Sequence, residues 1–577
     1  MSRGTLRAVI LIPSRYDDKG VMVFRFGLVP NGTAGFIAGL CEDYNRRHPD
    51  GTKVEWRIFD EHVETSVTPE LLRRWTSEAS GSRLLLLLAG TQTNNYPRGR
   101  DICLMARREG IAVVAGGVHL SCHGPSVDFL ISCGVSVAIG EAEPFFDEII
   151  DDAAADQLKP LYRIGADVGI STKTSASHIR VPDLDHLPFP AIPRSYLKRF
   201  LRRQVHVDSS RGCPFLCTFC AVKNAFGRTV RSRDPERLVA WMAEHVRNGI
   251  RSFDFTDDNF TRSPRHLEVL ERLARLREDG LEFSVKMMLD IEATCYVHEH
   301  SARGTSTRSF LDLCRRAGVR HVYIGLETTS DEALNEIKKN VNRPRHTAAN
   351  ETNDRLIERF RTGIQAWHAI GATTRSAIMV GLESDTRESA IKGARDAAAI
   401  GIDFANFAWV TPLPGADNYA QAAARNTLRH ADFNAYFYEP MLRHPSLSTE
   451  DLVRMIDEGT REFYSLHKVA PRVANALLGR GRARCAEPAQ YLVRQVVSMI
   501  GKIGRLFVMQ QVSGGFFRRG RRYSAARLAV TNEEARACYL SDRVPRPRLV
   551  PESMLDDATM ESMPILRHHD LRAFEGI

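Results

Sequence analysis

Hydrophobic positions in the first 150 residues come as short β-branched or leucine-rich runs, separated by helix-length stretches of mixed polarity. Residues 7–13 (RAVILIP), 54–59, 83–89, 111–115 and 135–140 are too short and too continuously apolar to be surface helices, so they predict strands buried on both faces. Strands alternating with helices predict an open parallel sheet of Rossmann-like type, whose ligands lie beyond the carboxyl ends of the strands. A second series of runs, at 205–208, 253–255, 283–289, 321–326, 376–380 and 404–410, is punctuated more clearly. Asp234-Pro235 supplies an N-cap and a first-turn proline and Gly249 a stop, while Ser263-Pro264 and Gly280 bracket the next helix. Six strand–helix units predict a partial (β/α)6 barrel of the TIM type, with chemistry at the strand C-termini.

The α/β chain then divides into a domain at 1–155, a linker at 156–200 that is proline-rich over 183–191, a barrel at 201–425, and a mainly helical region at 426–577. Ser448-Thr449-Glu450-Asp451 opens the first helix of that last region. Charge changes the picture only locally. The segment 470–527 carries +11, so the rest of a chain of net charge +9 sums to −2. Basicity confined to one segment, with no recognised binding module, argues against a nucleic-acid partner. The segment reads first as a solvated helical face; its apolar runs at 496–500 and 506–509 make peripheral contact with an anionic membrane the alternative. No run reaches the ~18 apolar residues of a membrane span, and no leader is recognised. Eleven scattered cysteines form no disulfide framework, so a cytoplasmic location is expected.

Candidate chemistry sits at strand ends. Cys213, Cys217 and Cys220 in RGCPFLCTFC form a CxxxCxxC cluster directly after the strand at 205–208. Structural zinc takes four ligands, usually as two pairs, and no second pair exists here; three thiolates suit a 4Fe-4S cluster with one iron open. The other eight cysteines lack metal spacing and read as small hydrophobes. In the N-terminal domain, Gly90-Thr91-Gln92-Thr93, Gly116-Gly117-Val118-His119-Leu120-Ser121 and Gly140-Glu141-Ala142-Glu143 end three strands. Their glycines permit close approach of a flat or bulky ligand, and their hydroxyls and amides can bond its periphery. Asp257-Asp258-Asn259-Phe260 ends the second barrel strand and Gly325-Leu326-Glu327 the fourth; paired carboxylates suit an ammonium or ribose hydroxyls. Glu383, after the fifth strand, reads as the cap of the following helix.

These motifs resemble the cobalamin-dependent radical S-adenosylmethionine (SAM) enzymes, in which a cobalamin-binding domain precedes a radical SAM barrel. The resemblance implies three cofactors: a 4Fe-4S cluster on Cys213, Cys217 and Cys220, SAM chelated by its open iron, and cobalamin. It places Phe219 beside the adenine and Asp257, Asp258, Asn259 and Glu327 around SAM. Around the corrin it places Thr91, Gln92, Thr93, Gly116, Gly117, His119, Ser121, Gly140 and Glu141. It further implies reductive cleavage of SAM to a 5′-deoxyadenosyl radical, fed by an electron donor such as a flavodoxin or ferredoxin. Methylation of an unactivated carbon of a small-molecule or lipid-like substrate would follow. Cyclisation, rearrangement or oxidation with the same parts is the alternative activity, and a non-catalytic cluster- and corrin-binding sensor the third. Asp60-Glu61-His62-Val63-Glu64-Thr65 resembles the DxHxxG signature of a cobalt-ligating histidine, but it follows the second strand and has Thr for Gly. His62 is therefore expected to be an ordinary surface residue. The first strand ends at Pro13-Ser14, which leaves the cobalt without a lower protein imidazole.

Overall fold

A computed structural model describes residues 4–17, 20–79, 81–163, 183–292, 307–343, 352–429, 432–479, 483–499 and 515–518. The N-terminal sheet comprises β1 (Thr5–Ile12), β2 (Lys53–Asp60), β3 (Arg83–Leu88), β4 (Ala112–Gly116), β5 (Ser136–Ala138) and β6 (Leu161–Tyr162). All are parallel, in the order β2-β1-β3-β4-β5-β6. Because side chains alternate across a strand, Val9 and Leu11 of β1 join one core with Leu72, Trp75 and Ile102. Ala8, Ile10 and Ile12 join another with Ala38, Tyr44 and Ile150. Two apolar faces explain the unbroken hydrophobic runs. β6 falls in the stretch expected to be linker; at two residues it is too short to show any periodicity.

The barrel follows as β7 (Gln204–Val207), β8 (Ser252–Phe255), β9 (Ser284–Leu289), β10 (Val319–Ile324), β11 (Thr373–Val380) and β12 (Phe404–Trp409), parallel and in sequence order. Outward residues such as Val205, Phe253, Val285 and Phe407 pack on the surrounding helices. One of these, Pro235–Arg247, is capped as expected: Asp234 accepts from Glu236 N at 2.9 Å, a contact of about 1 kcal/mol. The proline-rich linker straps the two domains together. Ala191 N donates to Gly35 O at 2.9 Å, and Phe189 stacks on Trp241 with ring centroids 5.4 Å apart.

Beyond the barrel, Ser448 and Asp451 form a capping box for the helix Thr449–Phe463. The helix Pro488–Met499 is tied to the barrel base by Tyr491 Oη donating to Asp403 at 2.9 Å and Gln495 Nε2 to the Asp403 carbonyl at 2.8 Å. The region is not wholly helical, since Gly515–Arg518 pairs antiparallel with Phe24–Gly27. The basic segment is also not a uniform solvated face. Arg472 is folded inward, donating to Phe463 O at 2.6 Å with its guanidinium 4.0 Å from the Phe463 ring, and Arg494 lines a cavity inside the barrel. Most of the remaining basic residues of that segment, together with 519–577, Cys295 and Cys538, lie outside the described residues. Cys41, Cys103, Cys133, Cys314 and Cys485 are buried as expected, and Cys122 is half-buried.

Candidate active site

The three cysteines stand on one loop at the C-terminal end of β7. The antiparallel pairing of Ser210–Arg211 with Arg231–Ser232 anchors its start. Cys213 N donates to Gly227 O at 2.9 Å, Thr218 N to Ile337 O at 3.0 Å, and Asn418 N to Thr218 O at 3.0 Å. Segments that follow β10 and β12 therefore fix the loop from opposite sides. Burial raises all three thiols, Cys220 up to about 12, and charge on Cys213 or Cys217 raises Cys220 further. The thiols thus sense one another. Yet among the described residues no three His, Cys, Asp or Glu side chains converge on a single ion. Three thiols carried on one loop suit a 4Fe-4S cluster with one iron left open. Thiols protonated in the bare protein must release their protons when such a group binds.

The acidic motif after β8 builds the loop's foundation. Asp257 accepts from Ser209 N at 2.9 Å, Ser209 Oγ at 2.6 Å and Ser210 Oγ at 2.5 Å, which commits both of its oxygens to the protein. Asp258 accepts from Gly212 N at 2.8 Å and still lines the space beyond the loop. Asn259 donates to Asp290 at 2.8 Å. Burial pushes both Asp257 and Asp258 up to about 6. Asp257 and Asn259 therefore act as positioning residues, and Asp258 is the member of the motif that faces the open space.

Glu327 sits at the end of β10 with φ of 65°, a left-handed conformation uncommon outside glycine. Bonds from its N to Ala377 O (3.0 Å) and from Met379 N to its O (2.7 Å) hold it there. Its carboxylate accepts from Lys339 Nζ at 3.2 Å, and that ammonium lies 5.8 Å from the Phe219 ring centroid and lowers the Cys217 thiol. Lys339 is a site residue that sequence reasoning missed; its only signal, an IKKN that begins ten residues after Glu327, is generic. Glu383 does not cap a helix: it pairs with Arg425 at 2.8 Å, and Thr386 occupies the N-cap.

Facing the loop across the domain boundary is a cavity of about 530 Å3. Gln92, Gly116, Gly117, Ser121, Gly140 and Glu141 line its N-terminal wall; Asp208, Arg211, Thr256 and Asp258 line the barrel wall. An apolar slot bounded by Ile37, Leu40, Leu87, Val114, Phe146 and Ile149 continues it below the strand ends. The Thr91 hydroxyl, between two lining residues, is buried and makes no hydrogen bond among the described residues. A flat, bulky group with an arm in the slot fits this shape.

Several expected contacts have other duties. A Cβ on Gly117 (φ 136°) would lie 2.5 Å from the Thr91 carbonyl oxygen, so protein packing, not only a ligand, requires glycine there. Ser121 Oγ accepts from Gly140 N at 2.9 Å and donates to Gly117 O at 3.0 Å, tying two strand ends. His119 is turned into the protein: it contacts Thr93 Oγ1 at 3.3 Å and Ser126 Oγ at 3.0 Å and stacks on Tyr96, and burial holds it neutral. Glu141 takes a bidentate grip from Arg231 at 2.7 and 2.9 Å. Arg211 reaches Glu141 (3.4 Å), Glu143 (2.8 Å) and Asp208 (2.6 Å), so the strand end and the cysteine hairpin are clamped together. Burial would raise Asp208, but Arg233 and Arg211 hold it at about 2. His62 is not a free surface residue; its ring is held by Asp60 at 2.9 Å, and among the described residues the N-terminal wall of the cavity carries no histidine.

The radical SAM superfamily model matches residues 207–397, the barrel that carries the cysteine loop. Residues 207–397 are a radical SAM domain. The chain is 24% identical over 368 residues to an uncharacterized methyltransferase of Pyrococcus horikoshii, covering 63% of this chain and 74% of the relative. It is also 24% identical over 389 residues to bacteriochlorophyllide d C-12(1)-methyltransferase of Chlorobaculum tepidum, covering 66% and 75%. Its fold matches the radical SAM methyltransferase TsrM of Kitasatospora setae, solved with cobalamin and a [4Fe-4S] cluster bound. The TM-score is 0.55 at 16% identity, over 87% of this chain and 89% of that one. The arrangement of sheet domain and barrel is thus shared with that structure.

Proposed function

We propose that this chain is a radical SAM enzyme that methylates an unactivated carbon of a small-molecule substrate, with a 4Fe-4S cluster on Cys213, Cys217 and Cys220, SAM, and cobalamin at the N-terminal strand ends. One observation carries the reading: a single chamber is walled on one side by the strand ends and on the other by the base of the cysteine loop. When bound, the cluster and SAM supply a carbon-centred radical and the corrin a methyl group. The chain's own residues position and enclose. Asp257 and Asp258 hold the loop start through Ser209, Ser210 and Gly212, and the Glu327–Lys339 pair places opposite charges beside Cys217 and Phe219. The Arg211 and Arg231 clamp ties the strand end to the cysteine hairpin along the chamber wall. A one-electron donor of the flavodoxin or ferredoxin class completes the set. Two curated relatives that the chain covers to about three quarters of their length are methyltransferases, which supports methyl transfer; anaerobic magnesium-protoporphyrin IX monomethyl ester cyclases match at 24–25% identity over less than half of their length, which keeps cyclisation as the second reading.

Protein loaded with cluster and corrin, incubated without oxygen with reductant, methyl-labelled SAM and a small-molecule extract, tests the reading. Expected are 5′-deoxyadenosine and S-adenosylhomocysteine in equal amounts and one labelled product. Fully loaded protein that cleaves no SAM would refute it. We also propose a peripheral membrane contact, supported by the exposed Leu492, Val493 and Val496. Among the described residues no helix is long and apolar enough to cross a membrane. Sedimentation with acidic vesicles at low salt, absent with neutral vesicles, is the expected result.

A further inference from the structure

A second cavity, of about 250 Å3, lies inside the barrel, and all six strands contribute to its lining. Its charge is unbalanced. Arg202, Lys286, Arg375 and Arg494 reach it, against Asp254 and the adjoining Glu487. Both carboxylates are engaged: Asp254 pairs with Lys286, and Glu487 accepts from His321 Nε2 at 2.7 Å. Arg202 and Arg494 make no ion pair among the described residues, and Arg494 Nε is buried without a hydrogen-bond partner. Burial and then the charge of Arg202 hold Arg494 down to about 9, and burial lowers Arg202; Glu487 offsets only part of this at each.

Arg472, one helix away, shows what a structural arginine looks like in this protein. It donates to the Phe463 carbonyl at 2.6 Å and to Ile402 O at 3.3 Å, and lies over two aromatic rings. Like charges brought together out of water without a counter-ion are costly, and a bound anion removes that cost. Arginine is the side chain best suited to grip a planar or tetrahedral oxyanion. His206 lines both this cavity and the chamber below the cysteine loop, so the two adjoin at one side chain. From Gln204 to the chamber-lining Asp208 is four residues of extended chain, roughly 13 Å.

We propose that this cavity is an oxyanion subsite in which Arg202 and Arg494, flanked by Lys286 and Arg375, hold a carboxylate or phosphate group of the substrate. The assignment to the substrate rests on the methyltransferase reading above; the anion site itself does not. It makes the substrate an acidic molecule whose reacting carbon lies roughly 10 Å or more from its acid group.

Calorimetric titration of the cluster- and corrin-loaded protein with inorganic phosphate, and separately with succinate, at low ionic strength is the test. At least one of the two should bind, and the stronger one identifies the acid group as phosphate or carboxylate. R202Q and R494Q should each weaken binding at least tenfold, R494K far less, with iron and cobalt contents unchanged. Should R494Q fail to fold, R202Q decides. No binding of either anion to the wild type, or undiminished binding in the Gln variants, overturns the subsite. SAM cleavage measured on the same samples separates the two readings. Cleavage without anion binding leaves the enzyme reading standing and removes the subsite; anion binding without cleavage does the reverse.

Discussion

Replacing Glu141 with Ala tests whether the strand-end glutamate is a clamp between the domains. Its carboxylate is 2% exposed and receives both Arg231 nitrogens, at 2.7 and 2.9 Å, while the Arg231 side chain is 8% exposed. Removing one partner of a buried pair costs about 3–5 kcal/mol, because the other charge remains out of water. Arg211 keeps Glu143 at 2.8 Å and Asp208 at 2.6 Å, which places the loss near the lower end. At ~2–4 °C per kcal/mol for a unit of this size, about 3 kcal/mol lowers the melting temperature by about 6–12 °C. The assay is calorimetric unfolding of the apoprotein, with Arg231→Ala and the double variant completing a cycle. The double variant should recover part of the loss, with a coupling above about 1 kcal/mol. If Glu141→Ala melts within about 1 °C of wild type, the clamp contributes nothing to stability and the glutamate is free for a ligand.

Asp258, raised to about 6 by burial, favours the folded state while protonated, below the unfolded value of ~3.9, and loses that contribution as pH rises through about 6. Asp258→Asn should therefore raise the apoprotein's melting temperature, relative to wild type, more at pH 7.5 than at pH 5; equal shifts would contradict the burial argument. Lys339→Met removes the ammonium beside Cys217, so the cluster's reduction potential should become more negative in a titration followed by electron paramagnetic resonance; an unchanged or higher potential would show that the ammonium does not sense the cluster. His62→Ala should leave the absorption spectrum of the corrin-loaded protein unchanged, since Asp60 holds the ring; a spectrum reporting lost imidazole ligation would reverse that assignment.

The barrel was legible because its outward residues must be apolar whatever the barrel holds. The runs at 205–208 and 404–410 became Gln204–Val207 and Phe404–Trp409, each displaced by a residue or less at either end. Elements without local periodicity were not legible. Leu161–Tyr162 is too short, and Gly515–Arg518 gains its partner nearly five hundred residues earlier in the chain. At the site, spacing located the cysteine loop and the acidic motif but not the division of labour within them. The pattern DDNF offers two equivalent carboxylates. Only the fold shows that Ser209 and Ser210 consume the first and leave Asp258 facing the chamber. His119 likewise looks like a ligand in sequence; its partners Ser126 and Tyr96 lie on neighbouring helices. Lys339 was invisible, because a lysine acquires meaning here only from the Glu327 and Cys217 that folding brings to it.

That division has a consequence for where substrate choice resides. The motifs largely hold one another: Asp257 holds Ser209, Ser121 holds Gly140, and Arg231 holds Glu141. Residues so committed cannot change with the substrate without loosening the loop or the domain contact. The inward positions of the barrel are under no such restraint, since the core depends on their outward neighbours. Val205 and Val207 pack on helices while Gln204 and His206 line the barrel cavity; Phe253 and Phe255 pack while Asp254 lines it. A strand can therefore exchange its inward set, neutral for charged, at little cost to the fold. In this chain that set carries Lys286 and Arg375, and the flanking segments add Arg202 and Arg494. An apolar substrate filling this cavity would leave Arg202 and Arg494, which make no ion pair among the described residues, buried beside one another, at a cost of several kcal/mol per uncompensated ion. An acid group placed there removes that cost and fixes the end of the molecule opposite the radical chemistry, so the same charges that select the substrate also set which of its carbons reaches the chamber.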